Sequence, residues 1–361
     1  MHFSTNARYS LSLVDAINIG VIGCGYWGPN LLRNFAENEA AQLRWICDLD
    51  EDRLASMSRR YPMAQTTSDY RLLVDDPAVD AVAVVTPVGT HFTIAKELLA
   101  GGKHVLLEKP LAATTAEAQE LIDLAERNKL TLMVDHTFIY TGAVRKMKEI
   151  VSSGELGDLL YFDSVRINLG LFQSDINVLW DLAPHDLSIM DFLIDRQPQA
   201  ISALGSSHIE RGVENIAYLV MLFPDEFIAH FHFNWLAPVK IRRTMIAGSS
   251  KMILYDDIEP TEKVRVYDKG VTANRVGDRE VDYQTLVSYR TGDVWAPKLD
   301  STEALRYVVA EFLDSIREGR KPLTDGYAGL RVVRLLEAAQ QSIKSGGSAV
   351  ILADTAQVTP A

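Results

Sequence analysis

The chain has 361 residues, of which 48 are acidic and 36 basic, for a formal net charge of −12, and 47% are hydrophobic. That length exceeds what one core usually organises, so two domains are expected. An acidic balance without a basic tract argues against nucleic acid or an anionic membrane as partner, and no apolar stretch is long enough to span a bilayer.

Met1–Ala16 lacks the basic start and long apolar core of a signal peptide and reads as an amino-terminal extension. The apolar, β-branched run Ile17–Ile22 then reads as a buried strand, followed without a spacer by Gly23-Cys24-Gly25-Tyr26-Trp27-Gly28. In this G-x-G-x-x-G turn Gly23 permits the tight bend, Gly25 lets the backbone approach a pyrophosphate, and Gly28 allows close packing of the next helix. Tyr26 and Trp27 belong to the same candidate cofactor loop. Pro29 suits a first helical turn, and the helix amino end is an anion site. A second apolar strand, Leu43–Asp48, ends in an acid about twenty residues beyond the last glycine. Asp48 is expected to accept hydrogen bonds from the adenosine ribose and to repel a 2′-phosphate, so NAD is preferred to NADP; Arg44 and Arg53 keep NADP open. The two cysteines, Cys24 and Cys47, lie in these strands and read as buried thiols of a reducing, cytoplasmic compartment.

Strands and helices go on alternating as far as Val134, which implies a doubly wound parallel sheet over residues 17–137. From residue 138 to 361 the pattern is α+β: Ala143–Ser152 reads as a helix, and Leu159–Leu169, Glu214–Phe223, Glu226–Trp235, Ile241–Ala247 and Lys251–Tyr255 read as strands of a mainly antiparallel sheet. Phe227, Ala229, Phe231 and Phe233 alternate with Ile228, His230, His232 and Asn234, so one face is apolar. The paired histidines read as a polar sheet face rather than a metal site. Such a sheet with an uncovered second face suggests a homodimer or homotetramer. Thr302–Glu318 and Tyr327–Ser345 read as closing helices, the second capped by Asp325, that pack back on the first domain.

Active sites of parallel α/β sheets lie at the carboxyl ends of the strands. Thr86-Pro87, Glu108-Lys109-Pro110 and Asp135-His136 stand there. Together with Gly23-x-Gly25-x-x-Gly28, Asp48, the T-P-x-x-x-H of Thr86 to His91, Gly102–Pro110 and the closing-helix residues Phe312 to Ser342, they resemble the Gfo/Idh/MocA oxidoreductases, the glucose-fructose oxidoreductase and inositol dehydrogenase family. The resemblance covers nearly everything after Ala16. It implies a Rossmann domain joined to an α+β domain, with Thr86, Pro87, His91, Glu108 and Lys109 at the cofactor. It also implies a catalytic set of Lys109 with the Asp-x-x-x-His of Asp181 and His185, which a spacing of four places on one side of a helix. The alternatives for these two are a helix cap and a structural imidazole, with Pro184 in a first turn. His185, with an ordinary pKa of about 6.5, suits proton removal from a sugar hydroxyl, and Lys109 suits holding the same oxygen; the two roles could be exchanged. Asp135-His136 departs from the arginine or asparagine that many members carry there. Arg166 and Asn177 lie in stretches that resemble members acting on nucleotide-linked sugars and are candidate substrate contacts, with an inter-strand salt bridge and a turn-capping asparagine as the alternatives. The reading is an NAD-dependent sugar oxidoreductase; a glycoside hydrolase using bound NAD and a non-enzymatic NAD-binding regulator are the rivals.

Overall fold

A computed structural model describes residues 16–170, 176–273 and 287–352. Residues 1–15 of the expected extension lie outside the described residues. The amino-terminal half runs β1 (Ile17–Ile22), α1 (Gly28–Ala36), β2 (Ala41–Cys47), α2 (Glu51–Arg60), β3 (Gln65–Thr67), α3 (Arg71–Asp75), β4 (Ala81–Val84), α4 (Val88–Ala100), β5 (His104–Glu108), α5 (Thr115–Asn128) and β6 (Leu132–Asp135). Its strands form a parallel sheet in the order β3-β2-β1-β4-β5-β6. The order reverses between β1 and β4, and that switch point opens the crevice in which such sheets bind ligands. β4 and β6 are buried along their whole length, as expected of strands covered by helices on both faces.

A 3₁₀ turn (Thr137–Tyr140) and α6 (Gly142–Ser152) lead into β7 (Leu159–Leu169), α7 (Val178–Leu193), β8 (Ala200–Ser206), β9 (Ile216–Leu222), β10 (Ile228–Asn234), β11 (Leu236–Gly248), β12 (Met252–Asp256) and β13 (Val264–Tyr267). A short ladder of β14 (Gly270–Ala273) with β15 (Val287–Arg290) and then β16 (Val294–Trp295) precede α8 (Ala304–Glu318), α9 (Gly326–Lys344) and β17 (Val350–Ile351). The second sheet has the order β16-β13-β12-β11-β7-β10-β9-β8-β17. It is antiparallel except where β10 runs parallel to β7. The sheet is mainly antiparallel as expected; β7 and β10 are not consecutive, and α7, β8 and β9 between them carry the chain back to pair parallel with β7.

Phe162, Phe231, Phe233 and Trp235 fill the core between this sheet and α6, α7 and α9. The other face carries His230, bonded through Nδ1 to Asp163 at 2.8 Å, and His232, stacked on Tyr218. The carboxyl-terminal helices also cover the first sheet: Leu305, Val308 and Phe312 of α8 pack with Leu31 and Phe35 of α1, while Leu330 and Val333 of α9 join Leu121 and Ile122 of α5. No described helix is long and apolar enough to cross a membrane.

Two local details differ from expectation. Helix α7 starts at Val178 and is capped by Asn177, whose side chain accepts from the Trp180 N–H, so Pro184 sits inside the helix rather than in its first turn. Its missing N–H leaves the Trp180 carbonyl without the usual partner four residues on. Cys24 and Cys47 are free and buried, and burial pushes both thiols up to about 12.

The glycine turn separates packing from binding. A Cβ on Gly28 would lie 2.0 Å from the Gly23 carbonyl oxygen, whereas one on Gly25 meets only the Arg53 guanidinium at 3.7 Å. Gly28→Ala is therefore expected to destabilise the fold by about 1–3 kcal/mol, as overpacked sites do, and Gly25→Ala to leave the thermal midpoint unchanged while weakening cofactor binding. Thermal denaturation beside a cofactor titration checks both.

Candidate active site

A cleft of about 1470 Å³ runs along the carboxyl edge of the first sheet and is closed on its far side by α7, β7 and the start of β11. A single small-molecule pocket spans about 300–1,000 Å³, so this one has room for a dinucleotide and a second molecule.

One half suits a dinucleotide. Gly23, at φ 100°, donates to the Cys47 carbonyl at 2.8 Å and so ties the glycine turn to the end of β2. Trp27 makes no side-chain cap on α1, leaving the helix amino end open, and Gly25 faces the cleft. Asp48 also lines the cleft; one oxygen accepts from the Cys24 N–H and the other from Asp50 N–H at 2.9 Å. Arg44 is turned away, bonded to Asp76 at 2.9 Å, whereas Arg53 lies at the cleft beside Asp50. Tyr26 stands 88% exposed at the mouth. Thr86 and Pro87 line the wall.

His91 differs from its expected place. It is fully buried, with Nε2 2.8 Å from the Thr86 carbonyl and Nδ1 2.9 Å from the Pro110 carbonyl, the neutral ring donating its one N–H to one or the other, and it does not reach the cleft. It staples the T-P loop to the K-P loop from behind. Burial keeps its pKa low.

The open helix end, the uncrowded glycine and the carboxylate at the end of β2 fit a nicotinamide dinucleotide, which when bound would supply a hydride acceptor or donor. Gly25, Tyr26, Trp27, Asp48, Thr86 and Pro87 are the residues placed to hold it.

The other half brings together the polar groups expected to do chemistry. Lys109, at the corner after β5, reaches α7, where Nζ donates to the Asp181 carbonyl at 2.9 Å and lies 3.5 Å from its carboxylate. Trp235 Nε1 donates to the other Asp181 oxygen at 3.1 Å. His185, one turn on, lines the same cleft, with its ring edge-on to Phe138 at 5.0 Å. Its Nδ1 is buried with no partner among the described residues, which leaves Nε2 as the nitrogen open to the cleft. Burial, then the charges of Lys109, Arg166 and Arg242, hold His185 well below the usual histidine range. The shift is away from the ordinary value and favours the neutral imidazole.

Arg166 is 3% exposed and forms a salt bridge with Asp186 at 2.6 Å, its guanidinium lying over Phe138. It touches the cleft only from within this ion pair, which joins strand to helix rather than strand to strand. Asn177 does not line the cleft; its amide donates to Glu214 and Gln340 while its oxygen caps α7, so no donor is left for a substrate. Sequence reasoning missed Trp235 as the partner of Asp181, and Lys240 and Arg242 on the substrate wall. The last two carried a signal, the basic Lys-Ile-Arg-Arg run at residues 240–243.

Residues 17–136 match the oxidoreductase family with an NAD-binding Rossmann fold, and residues 144–254 match the Gfo/Idh/MocA C-terminal domain. The chain belongs to the Gfo/Idh/MocA family. Within this family it is similar to the UDP-N-acetylglucosamine 3-dehydrogenase of Acidithiobacillus ferrooxidans, 27% identical over 87% of this chain and 93% of that one. The solved structure of that enzyme superposes with a TM-score of 0.76 at 25% identity, covering 91% of this chain and 98% of the other. The chain is also similar to the NADP⁺-dependent scyllo-inositol 2-dehydrogenase of Bacillus subtilis, 25% identical over 92% of this chain and 95% of that one. As a Gfo/Idh/MocA protein the chain is an NAD(P)-dependent oxidoreductase.

His136 and His185 share a consequence for acid stability. Burial holds His136 down to about 3, and its two ring nitrogens have no partner among the described residues. The unfolded chain takes up protons at both residues below about pH 6.5, and the folded chain does not. Each therefore costs stability as pH falls from about 6.5 towards its folded pKa. By NMR, the His185 ring resonances are expected to stay in the neutral form from about pH 8 to about pH 6, and a titration centred in that interval contradicts the assignment.

Proposed function

We propose that the protein transfers hydride between NAD and a ring hydroxyl or keto carbon of a sugar, most specifically a nucleotide-linked sugar. The observation that carries this reading is that Lys109, bonded to Asp181, and His185, one helical turn on from Asp181, line one cleft, which also bears Lys240 and Arg242. Arg242 bonds Asp257 at 3.3 Å, yet its Nε is buried with no partner among the described residues. Cations on the substrate side of a chain that is acidic overall suit a substrate carrying phosphate, and the similarity to a UDP-N-acetylglucosamine 3-dehydrogenase supports the same class.

In this scheme the neutral His185 Nε2 takes the hydroxyl proton, and the burial and cations that keep the ring neutral also make it a weaker base than a free imidazole. Lys109 stabilises the charge that develops on the oxygen. Asp181, held by the Trp235 indole, fixes both the ammonium and the sugar. NAD is favoured over NADP because Asp48 faces the ribose and Arg53 is engaged by Asp50; Asp48→Ala is expected to narrow that preference.

The test is a panel of UDP- and TDP-linked sugars with NAD⁺ and NADP⁺, followed at the NADH absorbance. Net reduced cofactor is expected with at least one of them, and Lys109→Ala and His185→Ala are each expected to lower turnover by roughly 10²-fold or more. Sugar release without net reduced cofactor would instead select the hydrolase reading, and full activity in both variants would remove these residues from the chemistry.

The uncovered sheet face is proposed to pair with a second copy. Tyr218, Leu222 and Ile228 are exposed there beside the His230–Asp163 bond. Sedimentation at micromolar concentration is expected to show a dimer or tetramer, and Tyr218→Glu with Ile228→Glu to shift it towards monomer; a monomer in the unmutated protein contradicts the pairing.

A further inference from the structure

Glu108 and Asp135 end neighbouring parallel strands, β5 and β6, and stand opposite one another in register. Each keeps one oxygen, Glu108 Oε2 and Asp135 Oδ2, buried with no donor among the described residues. Asp135 is 1% exposed, and its other oxygen accepts from the Thr137 hydroxyl at 2.6 Å. Glu108 also lines the cleft, immediately before Lys109. Two neighbouring carboxyl groups with a buried oxygen each disfavour a double charge, and one proton between them supplies the donor that both orphaned oxygens lack.

The strand order says which part of the cofactor they face. Asp48, after β2, marks the adenosine end, and the glycine turn after β1 takes the pyrophosphate. The remaining sheet edge, β4-β5-β6, is left for the nicotinamide. We propose that Glu108 and Asp135 form a proton-sharing acid pair beneath the nicotinamide, holding fewer protons against the cationic ring of NAD⁺ than against the neutral ring of NADH. The inference rests on the cofactor reading above. The balance is simple: the alcohol gives its C–H electron pair to the ring as hydride and its O–H proton to His185, and the pair gains a proton from solution as the ring loses its positive charge.

Burial and the neighbouring acid raise Glu108 well above the usual carboxylate range, and burial pushes Asp135 up to about 6. The groups facing the pair are the Trp27 indole from the glycine turn, Lys109 from the corner after β5, and His136 and Thr137 after β6. Asp181 and His185 line the same cleft from α7, and Arg331 of α9, itself bonded to Asp191, acts on the neighbouring His136. Lys109 is the cation that acts on both carboxyl groups. A pair with no role towards the cofactor could be replaced by apolar residues without loss, since buried ionisable groups are weak sources of stability.

Calorimetry of NAD⁺ and NADH binding at neutral pH, in buffers of different ionisation enthalpy, counts the protons exchanged with each. The adenosine halves are identical and cancel in the comparison. NAD⁺ is expected to expel more protons than NADH, by a few tenths up to about one proton, and the difference is expected to vanish in a Glu108→Gln, Asp135→Asn double variant. In cofactor-free protein, infrared spectroscopy is expected to show a protonated-carboxyl band that Glu108→Gln removes. Equal proton counts for the two cofactors in the unmutated protein, or a difference that survives the double substitution, overturns the proposal. Failure to bind either cofactor overturns the cofactor reading instead, and the infrared band still decides whether the proton is shared.

Discussion

A single ammonium group ties the two halves of this protein together at the point where chemistry is expected. Lys109 leaves the end of β5 and ends on the carbonyl and carboxylate of Asp181, on a helix of the other domain. Several unrelated features serve that contact. His91 sits between the carbonyls of Thr86 and Pro110, donating to one of them, and so packs behind the corner from which the lysine departs. Trp235, at the end of β10, fixes the second oxygen of Asp181. Asn177 caps α7 and sets where its first turn lies. The result is a donor and an imidazole brought to one place by two sheets that have no strand in common.

Burial governs the electrostatics of the same region. His136 and His185 are kept neutral, whereas Glu108 and Asp135 are pushed towards their protonated forms. Each shift is the ordinary answer of an ionisable group to low dielectric, where the charged form is disfavoured. The ions that remain are held in pairs, Arg166 with Asp186 and Lys109 with Asp181. Few mobile charges are therefore left to compete with one that develops on a substrate oxygen.

Much of the first domain was legible because its signals are local. β-branched runs, a glycine turn and an acid at fixed distance describe β1 to β2 within a short stretch of chain, and α5 ends where its apolar pattern ends. The second domain was less legible, because its decisive contacts are between distant residues. Nothing in the order of strands announces that β10 will pair parallel with β7. Pro184 looked like a first-turn residue, and only the capping of α7 by Asn177 shows it to be interior. The same cap removes Asn177 from the cleft, and the burial of Arg166 against Asp186 could not be read from a basic residue on a strand. His91 carried a motif but stands behind the site, since a motif records co-occurrence and not which surface a side chain faces. Trp235 was visible only as one more aromatic in an alternating strand.

The central claim is that Lys109 and His185 act as one unit on the reacting oxygen although they come from different domains. A double-mutant cycle on the rate of NADH formation in a single turnover, with Lys109→Ala, His185→Ala and the pair, tests it most directly. The expected result is strong non-additivity, the double variant losing about as much as the more damaging single one. Independent losses that add as free energies, or no loss in either single variant, would contradict the account.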